Sequence, residues 1–156
     1  MRVWCGIDPG KKGGYAFIKE NEDGTQNVSV HIWDDCGFVN DLHDIISWIG
    51  RRSGSIVCAV EKVGAVRGNG IVSTFSFGKS AGYIEGVLTA LKVPYQLVPP
   101  QKWKKTFSLS NDKKQSIETC KRLFPNVDLR ATQRCRTDSD GKAESLLLAE
   151  FARRNL

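Results

Sequence analysis

Residues 3–10 read Val-Trp-Cys-Gly-Ile-Asp-Pro-Gly, an apolar run that ends in Asp8 and is followed by a proline and a glycine. The run has the length and composition of a buried β-strand. A carboxylate that ends such a strand is costly unless another group pairs with it. Residues 55–61 read Ser-Ile-Val-Cys-Ala-Val-Glu and repeat this arrangement, with Glu61 at the end of the run. The two segments therefore predict two buried strands whose ends carry acids.

Further acids stand before and within an apolar segment near the C-terminus, at Asp138, Asp140 and Glu144. Three separate elements thus deliver carboxylates that one sheet could bring together. Carboxylate oxygens are hard ligands that suit Mg²⁺ or Mn²⁺. Hydrolysis of a phosphodiester needs an activated water, neutralised phosphate charge and help for the leaving oxygen, and two metal ions supply all three. The sequence predicts such a two-metal site, in which at least one crowded acid has a raised pKa without metal.

The overall composition is that of an ordinary globular protein. Of the 156 residues, 40% are apolar and 26% charged, which suits one domain over residues 1–156. No apolar run approaches the ~20 residues of a membrane span. The N-terminal sequence lacks the basic and apolar regions of a secretory signal. Five cysteines without CxxC spacing indicate a reduced, cytoplasmic compartment, with Cys5 and Cys58 as core thiols.

Basic residues are concentrated between residues 99 and 136. That stretch holds ten Lys or Arg against three acids, a net of +7, whereas the whole chain carries +6. Such a surface is either a solvated basic face or a contact for a phosphate backbone. The second interpretation assigns phosphate contacts to five lysines: Lys102, Lys104, Lys105, Lys113 and Lys114.

The first third of the chain predicts strands. Segments 2–7, 14–20 and 27–33 are short, rich in β-branched and aromatic residues, and separated by turn residues. This spacing favours an antiparallel meander. An amphipathic helix over 38–50 and a fourth strand over 55–60 follow.

Residues 71–91 have a long helical pattern that carries Gly78, Gly82 and Gly86 at four-residue spacing. Each glycine costs about 1 kcal/mol in a helix interior. Three interpretations remain open. Another helix approaches this row closely, the helix is kinked or ragged, or the glycines let it lie against the sheet of its own subunit.

The remaining segments complete an α/β pattern. Residues 95–98 predict a fifth strand, and Asp112 is a suitable N-cap for a helix to about residue 124. A loop over 126–139 precedes a last helix from near Asp140 to Arg154. Strand–helix–strand units favour parallel pairing through crossovers. We therefore predict a mixed five-stranded sheet with helices on both faces.

Several motifs in this order resemble the RuvC-type Holliday-junction resolvases of the ribonuclease H-like superfamily, especially the compact bacteriophage members. The motifs are GIDPG (6–10), AVEKV (59–63), VPPQKWKKTF (98–107), DKKQSIE (112–118) and DGKAESLLLAE (140–150). The resemblance implies a ribonuclease H-like fold. It also implies a Mg²⁺-dependent DNA endonuclease of recombination and repair that resolves four-way junctions by paired symmetric nicks.

The resemblance also implies roles for individual residues. Asp8 would bridge two Mg²⁺ ions, which Mn²⁺ can replace, and Glu61 would be the second ligand. Glu144 matches the last acid of the family's Asp-x-x-Asp-Ala-Leu pattern. Lys104 and Lys113 match lysines that the family places near the scissile phosphate.

The fourth ligand departs from the family pattern. A three-residue spacing before Glu144 falls on Gly141, which has no side chain. Asp140 is one helical turn before Glu144, so the two can share a face. Asp138 is an alternative if the loop folds back, and Asp140 could instead serve only as a helix N-cap.

A second departure is Gly64, where bacterial members tend to carry an aromatic residue that stacks on junction bases. Phe75 or Phe77 could replace it, although phenylalanines on a helix are more often core residues. A four-way junction has two symmetric scissile strands, so paired cuts require two active sites related by a two-fold axis. We expect a homodimer in which the 71–91 helix packs against its counterpart.

Three other functions are compatible with parts of the sequence. A nuclease of the same fold could act on flaps, forks or RNA, and a branched-DNA binding module could lack catalysis. A sugar-kinase-like ATPase shares a first strand that ends in Asp before a glycine-rich turn, but it needs two such domains. His31 and His43 are interpreted as structural or surface residues, because no triad pattern surrounds them.

Overall fold

The computed structural model describes residues 1–50, 54–64, 68 and 70–156. Its centre is one sheet of five strands, β1 (Arg2–Asp8), β2 (Gly14–Glu20), β3 (Gln26–Ile32), β4 (Ser55–Glu61) and β5 (Tyr95–Val98). The strand order is β3–β2–β1–β4–β5. The first three strands pair antiparallel, and β4 and β5 extend the sheet in parallel. Both the predicted meander and the predicted parallel pairing are confirmed.

The described residues contain five helices, α1 (Asp35–Gly50), α2 (Ile71–Ala90), α3 (Pro100–Thr106), α4 (Lys113–Leu123) and α5 (Asp140–Asn155). Helix α3 was not predicted, since the sequence indicates only a fifth strand over residues 95–98 before the helix that Asp112 caps. A proline in the first helical position loses no hydrogen bond and already has a helical φ. Pro100 therefore starts a helix that continues directly from β5.

The helices cover both faces of the sheet, as predicted. On one face the core contains Trp103 of α3, Cys120 of α4 and most of α5. On the other face it contains Phe38 and Leu42 of α1, together with the two buried residues of α2, Ile84 and Leu88. The mixed α/β fold class is thereby confirmed.

Helix α5 is the central helix of the first face, and all of its residues from 141 to 152 are buried. It crosses β1 in direct contact at Gly6. A Cβ added at Gly6 would lie only 2.1 Å from the Ala149 nitrogen and the Ser145 oxygen. Glycine is required at this crossing because no side chain fits between helix and strand. The contact places the N-terminal end of α5 beside the carboxyl end of β1.

The N-caps of the last two helices confirm one prediction and contradict another. Asp112 caps α4 as predicted, because its side chain accepts a hydrogen bond from the Lys114 nitrogen. The interpretation of Asp140 as an N-cap is wrong. Ser139 occupies that position and its side chain accepts from the Lys142 nitrogen, so Asp140 lies inside the first turn of α5.

Helix α2 projects its glycine row outward. A Cβ added at Gly78, Gly82 or Gly86 would meet nothing within 4 Å. The interpretation that these glycines let α2 lie close to its own sheet is therefore wrong. In the described chain this face of α2 borders open space.

The N-terminal half of α2 is also exposed. Phe75 is 75% exposed and Phe77 38% exposed. The interpretation of both as core residues is wrong, because the helix buries little before Ile84. Ile71 and Val72 are more exposed still. An apolar, glycine-containing surface thus extends along α2.

Two expectations about the chain as a whole concern membranes and thiols. None of the helices in the described ranges is long and apolar enough to cross a membrane. All five cysteines lie within those ranges and are free. Cys5 and Cys58 are fully buried neighbours on β1 and β4, which confirms their prediction as core thiols.

Candidate active site

Five acids line one cleft at the carboxyl ends of β1 and β4: Asp35 at the start of α1 and the four acids described next. Asp8 and Glu61 are the last residues of the parallel neighbours β1 and β4. Asp140 and Glu144 lie one turn apart on α5, so both point from the same face of the helix. All four belong to the same cleft. The structure thus brings together the acids that the sequence analysis selected from three separate elements.

The spacing of the two α5 acids has a steric cause. A Cβ added at Gly141 would lie 2.1 Å from the Lys12 carbonyl oxygen and 2.7 Å from the Gly13 carbonyl carbon. The first turn of α5 therefore packs directly on the turn between β1 and β2. An acid at 141, as the family spacing would require, has no room. Asp140 is the residue that this packing leaves facing the cleft.

Asp138 has a different environment. Its carboxylate lies 2.6 Å from the Lys121 ammonium, and its backbone forms an isolated bridge with Arg130. It does not line the cleft. Of the two candidates for the fourth ligand, only Asp140 is placed beside the other acids.

Among the residues that the structure describes, each of the four cleft acids on β1, β4 and α5 except Asp8 has a hydrogen-bond or ion-pair partner. Lys113 pairs with Asp140, and the Lys104 ammonium lies 3.8 Å from Glu144. The indole N–H of Trp103 donates to Glu61 at 2.7 Å. The partners come from α3 and α4. These two helices therefore supply the compensating charge and hydrogen bond for acids held on the sheet and α5.

Burial and mutual repulsion shift the ionisation of the acids. Burial raises the pKa of Asp8 well above its usual range, and the charges of Glu61, Glu144 and Asp140 raise it further. Burial is also the main cause of the raised pKa of Glu61, where the Trp103 hydrogen bond opposes it. A site that holds cations would relieve this repulsion.

The two α5 acids differ in ionisation. Burial raises the pKa of Glu144, although Lys104 and Lys113 oppose the effect. For Asp140, burial also acts upward, but the ion pair with Lys113 outweighs it and the net pKa is lowered. The same pair raises the pKa of Lys113. Asp140 and Lys113 therefore both remain charged at neutral pH.

The acids are gathered but not preassembled around a single point. Within the described ranges, no three Asp, Glu, His or Cys side chains form a ready-made metal cluster. Asp140 and Glu144 are instead paired with lysines of α4 and α3. The donor set itself fits Mg²⁺ or Mn²⁺, because it consists of carboxylate oxygens whose repulsion a divalent cation would offset.

The cleft has a volume of about 860 Å³ and is lined by more cations than the sequence analysis selected. Lys11 and Lys12 follow Asp8 in the turn after β1, and Lys79 reaches the cleft from α2. Lys11 and Lys12 are close to Asp8 in the sequence, so their place in the cleft could have been predicted. Lys79 and the Trp103 hydrogen bond have no local signal, because they depend on how α2 and α3 fold over the sheet.

The predicted phosphate-binding lysines divide into two groups. Lys104 and Lys113 line the cleft. Lys102, Lys105 and Lys114 are exposed on α3 and α4 outside it, and the Lys102 ammonium lies 5.9 Å from the Phe151 ring centroid. The structure thus brings only two of the five lysines to the acids.

Gly64, where the family resemblance implies a base-stacking aromatic residue, offers no side chain for stacking. A Cβ at Gly64 would meet nothing within 4 Å, whereas Phe77 lies against Gly10 at the edge of the cleft. Gly10 has φ +120°, a conformation that favours glycine. Phe77 therefore packs on a turn that a larger residue could not easily form.

Comparisons with known proteins agree with this architecture. No model of a protein family matches the sequence, and no curated protein matches it. Two solved structures of RuvC from Thermus thermophilus are similar, one of them in complex with a Holliday junction substrate. That complex has a TM-score of 0.57 and 16% identity, and the match covers 98% of this chain and 96% of RuvC. The other has a TM-score of 0.54 and 19% identity, with 97% and 96% covered.

A third similar structure is the yeast mitochondrial Holliday junction resolvase Ydc2. Its TM-score is 0.52 and its identity 16%, and the match covers 97% of this chain and 83% of Ydc2. The chain is thus an α/β protein of the ribonuclease H-like fold with an acid-lined cleft at one sheet edge. Within that class, its fold is the one shared by RuvC and Ydc2, as the sequence resemblance implied.

Proposed function

We propose that this protein is a metal-dependent endonuclease that resolves four-way DNA junctions by paired symmetric nicks. The observation that carries the proposal is the convergence of four acids and two lysines in one cleft of a RuvC-like fold. One of the similar structures is bound to a Holliday junction substrate. The basic excess around the cleft supports a polyanionic substrate.

The proposed metal ligands are Asp8, Glu61, Asp140 and Glu144. When bound there, divalent ions supply an activated water and neutralise charge on the phosphate and leaving oxygen. The charges of three acids act on Asp8, which has no hydrogen-bonded partner in the described chain, so its carboxylate would be available to hold metal. Trp103 holds one oxygen of Glu61 and so fixes the orientation of that ligand.

Lys104 and Lys113 act on the substrate phosphate in this proposal. Both ammonium groups stand beside proposed ligands, at the place where a scissile phosphate would approach the acids. A cation there lowers the cost of bringing a polyanion to a cleft lined by carboxylates. The exposed lysines on α3 and α4 would contact phosphates farther along the strand.

A homodimer is part of the proposal because two symmetric strands must be cut. The exposed apolar residues and the open glycine row of α2 offer a surface that a second copy of α2 would cover. Small residues allow two helix backbones to approach closely. An isologous contact of this kind would place two clefts about one two-fold axis.

Cleavage of flaps or forks is the second candidate, favoured by Gly64. With no side chain there, this chain lacks the stacking residue implied by the family resemblance. Both candidates are tested by incubating the protein with labelled four-way, forked, flapped, single-stranded and RNA–DNA hybrid substrates in Mg²⁺ or Mn²⁺. Paired cuts at symmetric positions of the four-way junction, yielding 5′-phosphates, are expected. Equal or faster cleavage of flaps would favour the second candidate, and no cleavage of any substrate would refute both.

A further inference from the structure

The segment between α4 and α5 is closed on itself at its base. The backbone of Arg130 bridges that of Asp138, and the Ser139 nitrogen donates to the Leu129 oxygen at 2.8 Å. Leu129 is 2% exposed and belongs to the core. We call residues 128–139 the arginine loop. Its two ends are therefore held together and held to the domain.

The buried side chain of Lys142 also anchors the arginine loop. The Lys142 ammonium donates hydrogen bonds to the backbone carbonyl oxygens of Asp128, at 3.1 Å, and Arg130, at 2.8 Å. Lys142 is 9% exposed and belongs to the first turn of α5, which carries Asp140. Burying an ammonium is costly unless carbonyl oxygens accept its hydrogens, and here two do so. This contact ties the loop to the helix that forms one wall of the cleft.

The arginines of the loop fall into two kinds. Arg130 is paired within the loop, because its guanidinium donates two hydrogen bonds to the Asp128 carboxylate, at 2.9 and 2.8 Å. Arg134 and Arg136 are exposed. Neither takes part in an ion pair or hydrogen bond within the described chain, although the neighbouring Cys135 closes a turn on Thr132. The arginine loop thus carries two exposed guanidinium groups that have no partner in the described chain, while its two ends are held in place.

The arginine loop adjoins the cleft without lining it. Asp138 and Ser139, at the end of the loop, directly precede Asp140, which lines the cleft. Arg134 and Arg136 precede Asp140 by six and four residues, and neither of them lines the cleft. The two arginines are therefore available to phosphates that lie outside the cleft.

We propose that Arg134 and Arg136 form a second DNA contact, which grips the backbone of a junction arm outside the cleft. The inference rests on the proposed function, because it assumes that branched DNA lies in the cleft. Guanidinium groups suit phosphate oxygens, which they bind in two-bond geometry. Lys142 is a positioning residue in this proposal, since it reaches DNA only through the loop that it holds.

The principal test compares wild type with the double variant Arg134→Gln/Arg136→Gln in binding a four-way junction across a series of salt concentrations. Loss of two phosphate contacts should lower the slope of log affinity against log salt by about 1.8 and weaken binding about tenfold to hundredfold at 0.1 M salt. Lys19→Gln is the matched control, because Lys19 is a cation at the opposite end of the sheet. It should leave the slope unchanged.

The position of the contact is tested with junctions that carry one neutral methylphosphonate at a time. At one or more phosphates outside the cleft, neutralisation should weaken wild-type binding and have little further effect on the double variant. Additive effects at every phosphate, or wild-type affinity and slope in the double variant, would overturn the proposal.

The anchoring role of Lys142 is tested by Lys142→Met with two measurements. Amide exchange of residues 129–139 should accelerate, and DNA affinity should fall toward that of the double variant. Unchanged exchange and affinity in a folded Lys142→Met protein would overturn this role. The arginine variants lie on the surface and do not depend on this result. If wild type binds no DNA, the proposed function and this inference fail together. If wild type cuts junctions but the double variant binds like wild type, only the inference fails.

Discussion

Replacing Asp8 by Asn should stabilise the metal-free protein at neutral pH. Asp8 lies among Glu61, Glu144 and Asp140, and burial together with their charges raises its pKa. The folded protein therefore binds a proton at Asp8 more tightly than the unfolded chain does. Stability falls as pH rises from the ordinary Asp pKa of about 3.9 toward the raised value. Asn has a similar shape and carries no charge, so the variant escapes this loss.

The size of the effect follows from the linkage. A pKa raised by one unit lowers the free energy of unfolding by about 1.4 kcal/mol once the pH is above the raised value. For a chain of this length, 1 kcal/mol corresponds to about 2–4 °C in Tm. Asp8→Asn should thus melt above wild type at pH 8 in EDTA, by about 3 °C or more for each 1.4 kcal/mol of this loss. Below about pH 4 the two proteins should melt together, because Asp8 is then protonated in both states.

With divalent metal, wild type should instead melt above Asp8→Asn. A ligand at a hundred times its Kd stabilises the folded state by about 2.7 kcal/mol, and we expect Asp8→Asn to lose most of this gain together with cleavage. Calorimetric melts at pH 4 and 8, with EDTA or Mn²⁺, measure both effects. Asp44→Asn is the control, because the Asp44 side chain is 86% exposed on α1. A variant that is less stable than wild type at pH 8 in EDTA, or that cuts DNA in Mg²⁺, would refute the reasoning.

The other predictions concern the lysines, the glycine row and the packing of α5. Lys104→Ala and Lys113→Ala should each lower single-turnover cleavage at saturating DNA about a hundredfold; wild-type rates would exclude a role at the phosphate. Gly82→Leu should fold, since it meets open space, but sediment as a monomer and uncouple the paired nicks; an intact dimer would place the interface elsewhere. Gly141→Ala should cost about 3 kcal/mol or more in denaturant unfolding, because its Cβ would overlap the Lys12 oxygen. Gly86→Ala should be neutral or stabilising by up to about 1 kcal/mol, and equal effects of these two alanines would contradict the packing of α5.

Most of the sheet could be predicted because its signals are local. Alternating and continuous apolar runs between turn residues gave the strands, and their order along the chain gave the parallel pairing of β1, β4 and β5. Helix α3 was missed because Pro99 and Pro100 indicate a break as readily as a start. The orientation of α2 could not be predicted, since its apolar residues do not distinguish a covered face from an exposed one.

The acids of the site were predictable for a different reason. A carboxylate at the end of a buried strand conflicts with local energetics, and such conflicts mark functional positions. Helical spacing to Glu144 favoured Asp140 over Asp138, but the contact of Gly141 with the β1–β2 turn, which excludes an acid at 141, could not be predicted. The hydrogen bond from Trp103 to Glu61 likewise joins residues 42 positions apart. Long-range contacts of this kind leave no periodic trace in a single sequence.

The distribution of charge over the elements explains how Asp8, Glu61, Asp140 and Glu144 can share one cleft in the metal-free protein. The acids stand on the parts of the fold that pack most tightly, namely the central strands and the buried helix α5. Their cationic partners stand on the neighbouring helices α3 and α4. Lysine ammonium groups on long side chains can leave a carboxylate by rotamer changes alone, whereas the acids stand on elements whose backbones are packed in the core. Entry of metal and DNA would therefore exchange the partners of the acids without repacking the core, and the released lysines would lie within reach of the phosphate.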